Sequence, residues 1–290
     1  MPFTRSQILQ RYRTVLRVFT RYGFGSLVDH LGLSRLRSWN RPADEGPAGR
    51  GERLRRAFEE LGPAFVKLGQ MFSTRADLLP PDITAALERL QDQVAPFPFE
   101  QARVLLEEEL GALDQHFASI DPEPVAAASL GQVHQAVLKG GRPVVIKLQR
   151  PGVAEQVALD LEVLQRLASL AARRTHWGRL YDLPGAAAEF AAMLRGELDY
   201  QQEGRNAERF RANFAGDPEI RFPAVHWEQT TGRVLTLERV GGLRVTDREA
   251  MRRTGIDPAA VAQRLAGALF RMVLRDGFFH ADPHPGNLFV

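Results

Sequence analysis

The chain has 290 residues, 44% of them apolar, with 38 Lys and Arg against 35 Asp and Glu and a formal net charge of +3. This length supports one large core or two modest ones, and the absence of cysteine excludes disulfides and thiolate metal sites. No apolar run reaches the roughly 18–20 residues that a membrane-spanning helix needs. The N-terminus also lacks the compact apolar segment and small-residue cleavage site of a secretion signal, so an intracellular chain, soluble or peripheral, is expected.

The first segment reads as a helix, with Ile8, Tyr12, Val15, Leu16, Phe19 and Tyr22 at helical spacing. Arg5, Arg11, Arg13, Arg17 and Arg21 lie mostly off that stripe and meet no acidic residue before Asp29. Such a helix suits an anionic membrane surface or a surface position with its stripe against the protein and its arginines solvated. Residues 40–51, NRPADEGPAGRG, are the linker candidate. Glu52 to Phe72 repeats a helical pattern, and in it Lys67 and Gln70, three apart, share a face and can point together into a site. Pro80-Pro81-Asp82 starts a helix through Leu90, Pro96 and Pro98 end that region, and Glu100 to Leu110 is a further helix.

At Ile120 the periodicity changes to strands, with Val133–Leu138 and Pro143–Leu148 joined by Lys139-Gly140-Gly141-Arg142. Helices follow at Asp160–Ala172 and Ala186–Phe210, and a second hairpin pairs Val225–Glu228 with Arg233–Val240. The last helix has Asp257 as cap and Pro258 as first residue and runs to about Arg275.

Several residue groups carry chemistry. Against the glycine-rich template G-x-G-x-x-G-x-V, residues Ala126 to Val133 read A-A-A-S-L-G-Q-V, keeping Gly131 and Val133. Fourteen residues on, Val-Val-Ile-Lys ends in Lys147, as in the kinase strand that offers a Lys to nucleotide phosphates. An unpaired ammonium inside an apolar strand is expensive, so Lys147 needs a carboxylate. Glu197, Asp199 and Glu203 are the candidates, solvated surface positions being the alternative for each. At the end, FFHADPHPGNLFV sets Asp282 five residues before Asn287, a separation suited to orienting a nucleophile and reaching a metal ion. His280 and His284 flank Asp282, but an oxygen-ligated Mg²⁺ with nucleotide phosphates fits this loop better than a transition-metal cluster.

Five ordered motifs, spanning roughly Glu52 to Val290, resemble the UbiB/ADCK (aarF-domain-containing) atypical kinase-like family. They are KLGQ with MFSTRADLLP, AAASLGQVHQA, VIKLQRPGV, ELDYQQEGRNAERF and HADPHPGN. The resemblance implies an α+β fold, bilobal and protein-kinase-like, with a family-specific N-terminal helical extension. Its expected parts are a basic amphipathic segment (1–39), the linker (40–51), a K-x-G-Q extension (52–118), an N-lobe with hinge (119–242), and the start of a C-lobe (243–290). It further implies that Ala126, Ala127, Ala128, Ser129, Gly131 and Val133 cover ATP or ADP, that Lys147 holds the phosphates, and that Glu203 is its partner. Glu238 to Gly241, with Val240, would be the hinge that contacts adenine. Asp282 would be the catalytic-loop Asp and Asn287 the Mg²⁺ ligand, while Lys67 and Gln70 would lie across the site, Lys67 meeting Glu197 and Asp199. Each Ala in place of Gly adds a Cβ where backbone amides close on phosphate, so the loop should grip ATP differently; the family's loop is linked to suppressed protein phosphorylation.

The family is associated with membrane lipids and ubiquinone-type quinone biosynthesis, as an ATPase or small-molecule kinase. Nucleotide, anionic lipid and quinone-biosynthesis proteins or precursors are therefore the expected partners, with no nucleic acid, at the cytoplasmic side of a membrane. The sequence stops before the family's second metal-binding Asp, which sets an expectation of a truncated C-lobe and impaired Mg-ATP hydrolysis. A nucleotide-binding scaffold or regulator is the alternative, and a true protein kinase is disfavoured because Lys67 to Asp77 would block its substrate groove.

Overall fold

A computed structural model describes residues 3–30, 49–90, 94–280, 286 and 288–290. The first elements are helices α1 (Arg5–Arg21), α2 (Gly25–His30), α3 (Arg50–Leu61), α4 (Pro63–Ser73), α5 (Pro81–Leu87), α6 (Phe99–Leu110) and α7 (Leu113–His116). Strands β1 (Phe117–Ile120), β2 (Ala126–Ala127), β3 (Gly131–Leu138) and β4 (Pro143–Gln149) follow. The rest comprises α8 (Val153–Arg174), α9 (Trp177–Leu180), α10 (Leu183–Glu197), α11 (Tyr200–Asn213), β5 (Val234–Glu238), α12 (Arg248–Arg253) and α13 (Pro258–Leu274). Most of the expected linker, and Asp282, His284 and Asn287, lie outside the described residues.

The chain divides into two compact units. One comprises Met1–Leu105, Glu123–Val133 and Leu148–Asp199, the other Leu106–Pro122, His134–Lys147 and Tyr200–Val290.

The first unit is mainly helical. Thr4 and Gln7 start α1 with a reciprocal capping box, the Thr4 hydroxyl accepting from Gln7 N–H at 3.2 Å and the Gln7 amide oxygen from Thr4 N–H at 2.8 Å. The α1 stripe is core: Ile8, Val15 and Val18 pack with Phe58, Leu61, Phe65, Leu87 and Val163. Burying a side chain of this size stabilises by about 1.5–3 kcal/mol. Arg5, Arg13, Arg17 and Arg21 are exposed, but Arg11 is not the solvated cation its off-stripe position implied. Its guanidinium grips Asp160 of α8 through Nε and through Nη2 at 2.9 Å, and Nη2 also donates to the Leu61 carbonyl at 2.6 Å.

The helix expected over Glu52–Phe72 is two helices. Gly62 has φ +99°, which ends α3, and Pro63 occupies the first turn of α4, where its missing N–H costs nothing. Gly69 has a different reason: a Cβ there would overlap the Leu90 side chain and come within 2.6 Å of Phe58.

The sheet is ordered β1-β3-β4-β5, most of it in the second unit; the short β2 pairs with Gln132 and Val133 of β3 within the first unit. The Gly-Gly turn forms as expected, Gly141 at φ +77° donating its N–H to the Leu138 carbonyl at 2.8 Å. The hairpin expected before β5 is only partly one. Val225 makes a single antiparallel bridge to Leu237, and Trp227–Gln229 form a 3-10 turn. Backbone bonds run from His226 N–H to the Thr236 carbonyl at 2.9 Å and from Glu238 N–H to the Ala224 carbonyl at 2.8 Å. Side chains add to them: Thr236 N–H donates to the Thr230 hydroxyl at 3.1 Å and Thr236 Oγ1 to the Gln229 carbonyl at 2.6 Å.

The long helix expected over Ala186–Phe210 is also two. The backbone N–H of Tyr200 donates to the Gly232 carbonyl at 3.2 Å, and α11 starts there. The last helix forms as its cap predicts, with Asp257 accepting from Ala259 N–H at 2.9 Å before Pro258.

The Asp160 side chain has no exposed surface and Arg11 retains 17%. Burial pushes the Asp160 carboxyl above its ordinary range, with the Arg11 pair pulling it down. A carboxyl raised on folding favours the folded state at low pH, and that contribution fades as pH rises through the folded value. Arg11→Met removes the opposing pull and leaves a buried carboxyl unpaired, so urea denaturation should show a loss of about 3 kcal/mol near pH 7.5. The deficit relative to the unaltered chain should shrink as pH falls and Asp160 protonates; a deficit that does not change with pH would assign it to lost packing.

Candidate functional site

Strand β4 sets the first functional group. Its even positions Val144, Ile146 and Leu148 are fully buried, so period-2 alternation turns Val145 and Lys147 to the other, half-covered face. Lys147 Nζ donates to both Glu203 oxygens, at 2.9 and 2.7 Å, and lies 4.7 Å from the Tyr200 ring centroid. Tyr200 is completely buried, while the Lys147 and Glu203 side chains keep 36% and 40% of their surface. Of the three candidate carboxylates, Glu203 is therefore the one on Lys147. Tyr200 was not singled out from the sequence. Its signal was there, an aromatic three residues before Glu203 and hence on the same helix face.

Beyond β5, the expected hinge is split in its behaviour. The Glu238 carboxylate accepts from Arg221 and from Ala224 N–H, both at 3.2 Å, and its own N–H goes to the Ala224 carbonyl at 2.8 Å. Its side chain is thus committed to its own unit. Val240 is 44% exposed and makes no hydrogen bond among the described residues. His134 on β3 is fully buried with Nδ1 2.8 Å from the Asp121 carbonyl, and burial holds its imidazole below its ordinary value.

In the first unit the alanine-rich stretch is a tight hairpin. Ala126 pairs with Val133 and Ala127 with Gln132, Val125 N–H donates to the Val133 carbonyl at 2.8 Å, and Ala128 N–H closes onto the Gly131 carbonyl at 2.7 Å. Ala126 is exposed, Ala127 and Ala128 are half-buried, and Ser129, Leu130 and Gly131 are buried. Two polar residues of the same unit stand beside it, Gln132 and Arg150, neither flagged by the sequence patterns.

The helix carrying Lys67 brings its ammonium to Glu197 at 3.0 Å. Gln70 does not join Lys67 there; its amide lies 3.4 Å from the Leu90 carbonyl. Asp199 stands just past the end of α10, its N–H donating to the Gly196 carbonyl at 3.2 Å. Asp282 and Asn287, the catalytic-loop and metal candidates, lie outside the described residues. Among the described residues no three His, Asp or Glu side chains cluster as a metal site, and no helix is long and apolar enough to cross a membrane.

The chain is 43% identical over 242 residues to a probable protein kinase UbiB of Marinobacter nauticus, covering 83% of this chain and 44% of that protein. A second probable protein kinase UbiB, from Cellvibrio japonicus, is 41% identical over 284 residues, 97% of this chain and 51% of the relative. An uncharacterized Synechocystis protein, sll1770, is 44% identical over 238 residues, covering 82% and 41%. The chain thus spans about half the length of these curated relatives. Among solved structures, Rv3197 of Mycobacterium tuberculosis in complex with erythromycin superposes with a TM-score of 0.57 at 28% identity, covering 80% of this chain and 58% of that one. The mixed helical and sheet architecture is accordingly that of an atypical kinase-like fold. Residues 89–290 match the ABC1 atypical kinase-like domain, and the chain belongs to that family.

Proposed function

We propose that this chain binds ATP or ADP with Mg²⁺ and serves an ATP-dependent atypical kinase or ATPase, acting on a small molecule or lipid in ubiquinone-type quinone biosynthesis. The observation that carries the reading is the Lys147 ammonium, fixed by both Glu203 oxygens on the half-open face of β4. An ammonium so oriented supplies positive charge to nucleotide phosphates without reorganising, which is how kinase-like folds catalyse. Val240, with its backbone groups unengaged among the described residues, suits the edge of an adenine; the Glu238 side chain, held by Arg221 and Ala224, does not take that role. Ala126, Ala127, Ala128, Ser129, Gly131 and Val133 form the phosphate loop in this reading. Asp282 orients the acceptor and Asn287 holds Mg²⁺, both assigned by family resemblance. The ion neutralises phosphate charge when bound. Lys67, Gln70, Glu197 and Asp199 are the regulatory set, supported by the Lys67–Glu197 pair.

Anionic lipid is the proposed surface partner, on the cytoplasmic face of a membrane. Because the α1 stripe is spent in the core, adsorption would be electrostatic, through exposed Arg5, Arg13 and Arg17, at about 1 kcal/mol per arginine near the surface.

Titration with a fluorescent ATP analogue should show Mg²⁺-dependent binding that falls at least about 10-fold in Lys147→Met. Stability should change by less than about 1 kcal/mol, since the pair is partly exposed. Undiminished affinity in that variant would remove Lys147 from the site, and binding without phosphate release would favour a nucleotide-dependent scaffold or regulator. In vesicle sedimentation, Arg13→Glu with Arg17→Glu should reduce binding to anionic vesicles by about 10-fold or more, and added salt should do the same to the unaltered chain. Salt-insensitive binding would point to apolar insertion instead.

A further inference from the structure

The segment Ala95-Pro96-Phe97-Pro98 looks in sequence like a helix terminator, yet it is tied to the alanine-rich loop by side chains of the same unit. Gln132 is 1% exposed. Its amide oxygen accepts Phe97 N–H at 3.0 Å and its amide nitrogen faces the Phe97 carbonyl at 3.3 Å. The side chain thereby imitates the peptide group of a neighbouring strand. Arg150 Nη2 donates to the Ala95 carbonyl at 3.0 Å and to the Ala128 carbonyl at 3.4 Å, and its guanidinium lies 5.3 Å from the Phe97 ring centroid. Its backbone N–H takes the Leu130 carbonyl at 2.8 Å. All of these hydrogen bonds end on main-chain groups, so the network fixes backbone. Arg150 has no carboxylate partner among the described residues.

We propose that Phe97, Gln132 and Arg150 clamp the alanine-rich loop in one backbone conformation and so set how tightly that loop grips the phosphates of a nucleoside triphosphate. They are positioning residues. The proposal rests on the nucleotide reading of the loop. Its physical basis is conformational entropy: a loop already ordered loses less freedom on binding, and releasing the clamp returns that cost to the binding step. Alanine in place of glycine narrows the accessible backbone space, and the clamp restricts it further.

The test is hydrogen exchange by mass spectrometry on the full chain without nucleotide, followed by ATP titration. Arg150→Met keeps the apolar stem and removes the donors; Phe97→Leu keeps bulk and removes the ring. Arg166→Ala, on the outer face of α8, is the control. Peptides covering Ala126–Gln132 should exchange at least about 10-fold faster in Arg150→Met and Phe97→Leu, with α8 and the β3–β4 turn unchanged. ATP affinity should fall about 5-fold in both, with Arg150→Lys intermediate. Unchanged loop exchange in both variants overturns the clamp, whatever the nucleotide data. Faster exchange at unaltered ATP affinity overturns its link to the phosphates. If the unaltered chain binds no ATP, the nucleotide reading fails and takes that link with it, while the exchange result still decides whether the clamp exists.

Discussion

A lysine on a strand is the constraint from which the second unit is built. The alternation that buries Val144, Ile146 and Leu148 leaves Lys147 on the opposite face, where its ammonium is partly desolvated and needs negative charge nearby. One helix face supplies what is needed. Tyr200 and Glu203 are three residues apart on α11, so ring and carboxylate reach the same ammonium from one surface. At the exposures the pair retains, its contribution to stability is small. Its consequence is geometric: a cation is held at a fixed place by a carboxylate and a ring of one helix.

Charge is used differently in the first unit. Arg11 and Asp160 are sealed between α1, α3 and α8, and Arg11 also satisfies the Leu61 carbonyl at the end of α3. That pairing fixes how α1 sits on its neighbours, because its removal strands a carboxylate that has no access to water. With its apolar stripe in the core and one arginine turned inward, α1 presents Arg5, Arg13 and Arg17 to solvent beside Ser6, Leu9 and Gln10.

What was legible in the sequence was local. The Gly-Gly turn between β3 and β4, the Asp257-Pro258 start of α13 and the amphipathic stripe of α1 each depend on residues a few positions apart. The need of Lys147 for a carboxylate was legible too, since it follows from the apolar strand around it. Most of the misses have a different origin. Arg11 and Asp160 are 149 residues apart, and no periodicity marks such a pair. The break between α10 and α11 depends on Tyr200 N–H finding the Gly232 carbonyl, so the helical pattern continued across a site where the hydrogen bonding does not. Gly62-Pro63 was readable as a break and was overridden by the strength of the flanking apolar pattern. Gln132 passed unnoticed because a buried amide with backbone partners looks, in sequence, like any polar residue of an alternating strand.

The alanine-rich loop joins these themes. A glycine loop can reshape itself around phosphate because its amides are free to turn; an alanine loop loses part of that freedom to its Cβ atoms. Ala128 N–H is already turned onto the Gly131 carbonyl, and Leu130 between them is buried in the first unit's core with its carbonyl accepting Arg150 N–H. A loop in this condition cannot trade its internal hydrogen bonds for phosphate contacts without cost. In the proposed nucleotide site, selectivity would then depend less on how many amides the loop presents than on whether a ligand fits the few it leaves exposed. If the loop covers phosphates as proposed, the site would favour one phosphate geometry and resist closing over others, a different solution from a flexible cover that adapts to each state of the nucleotide.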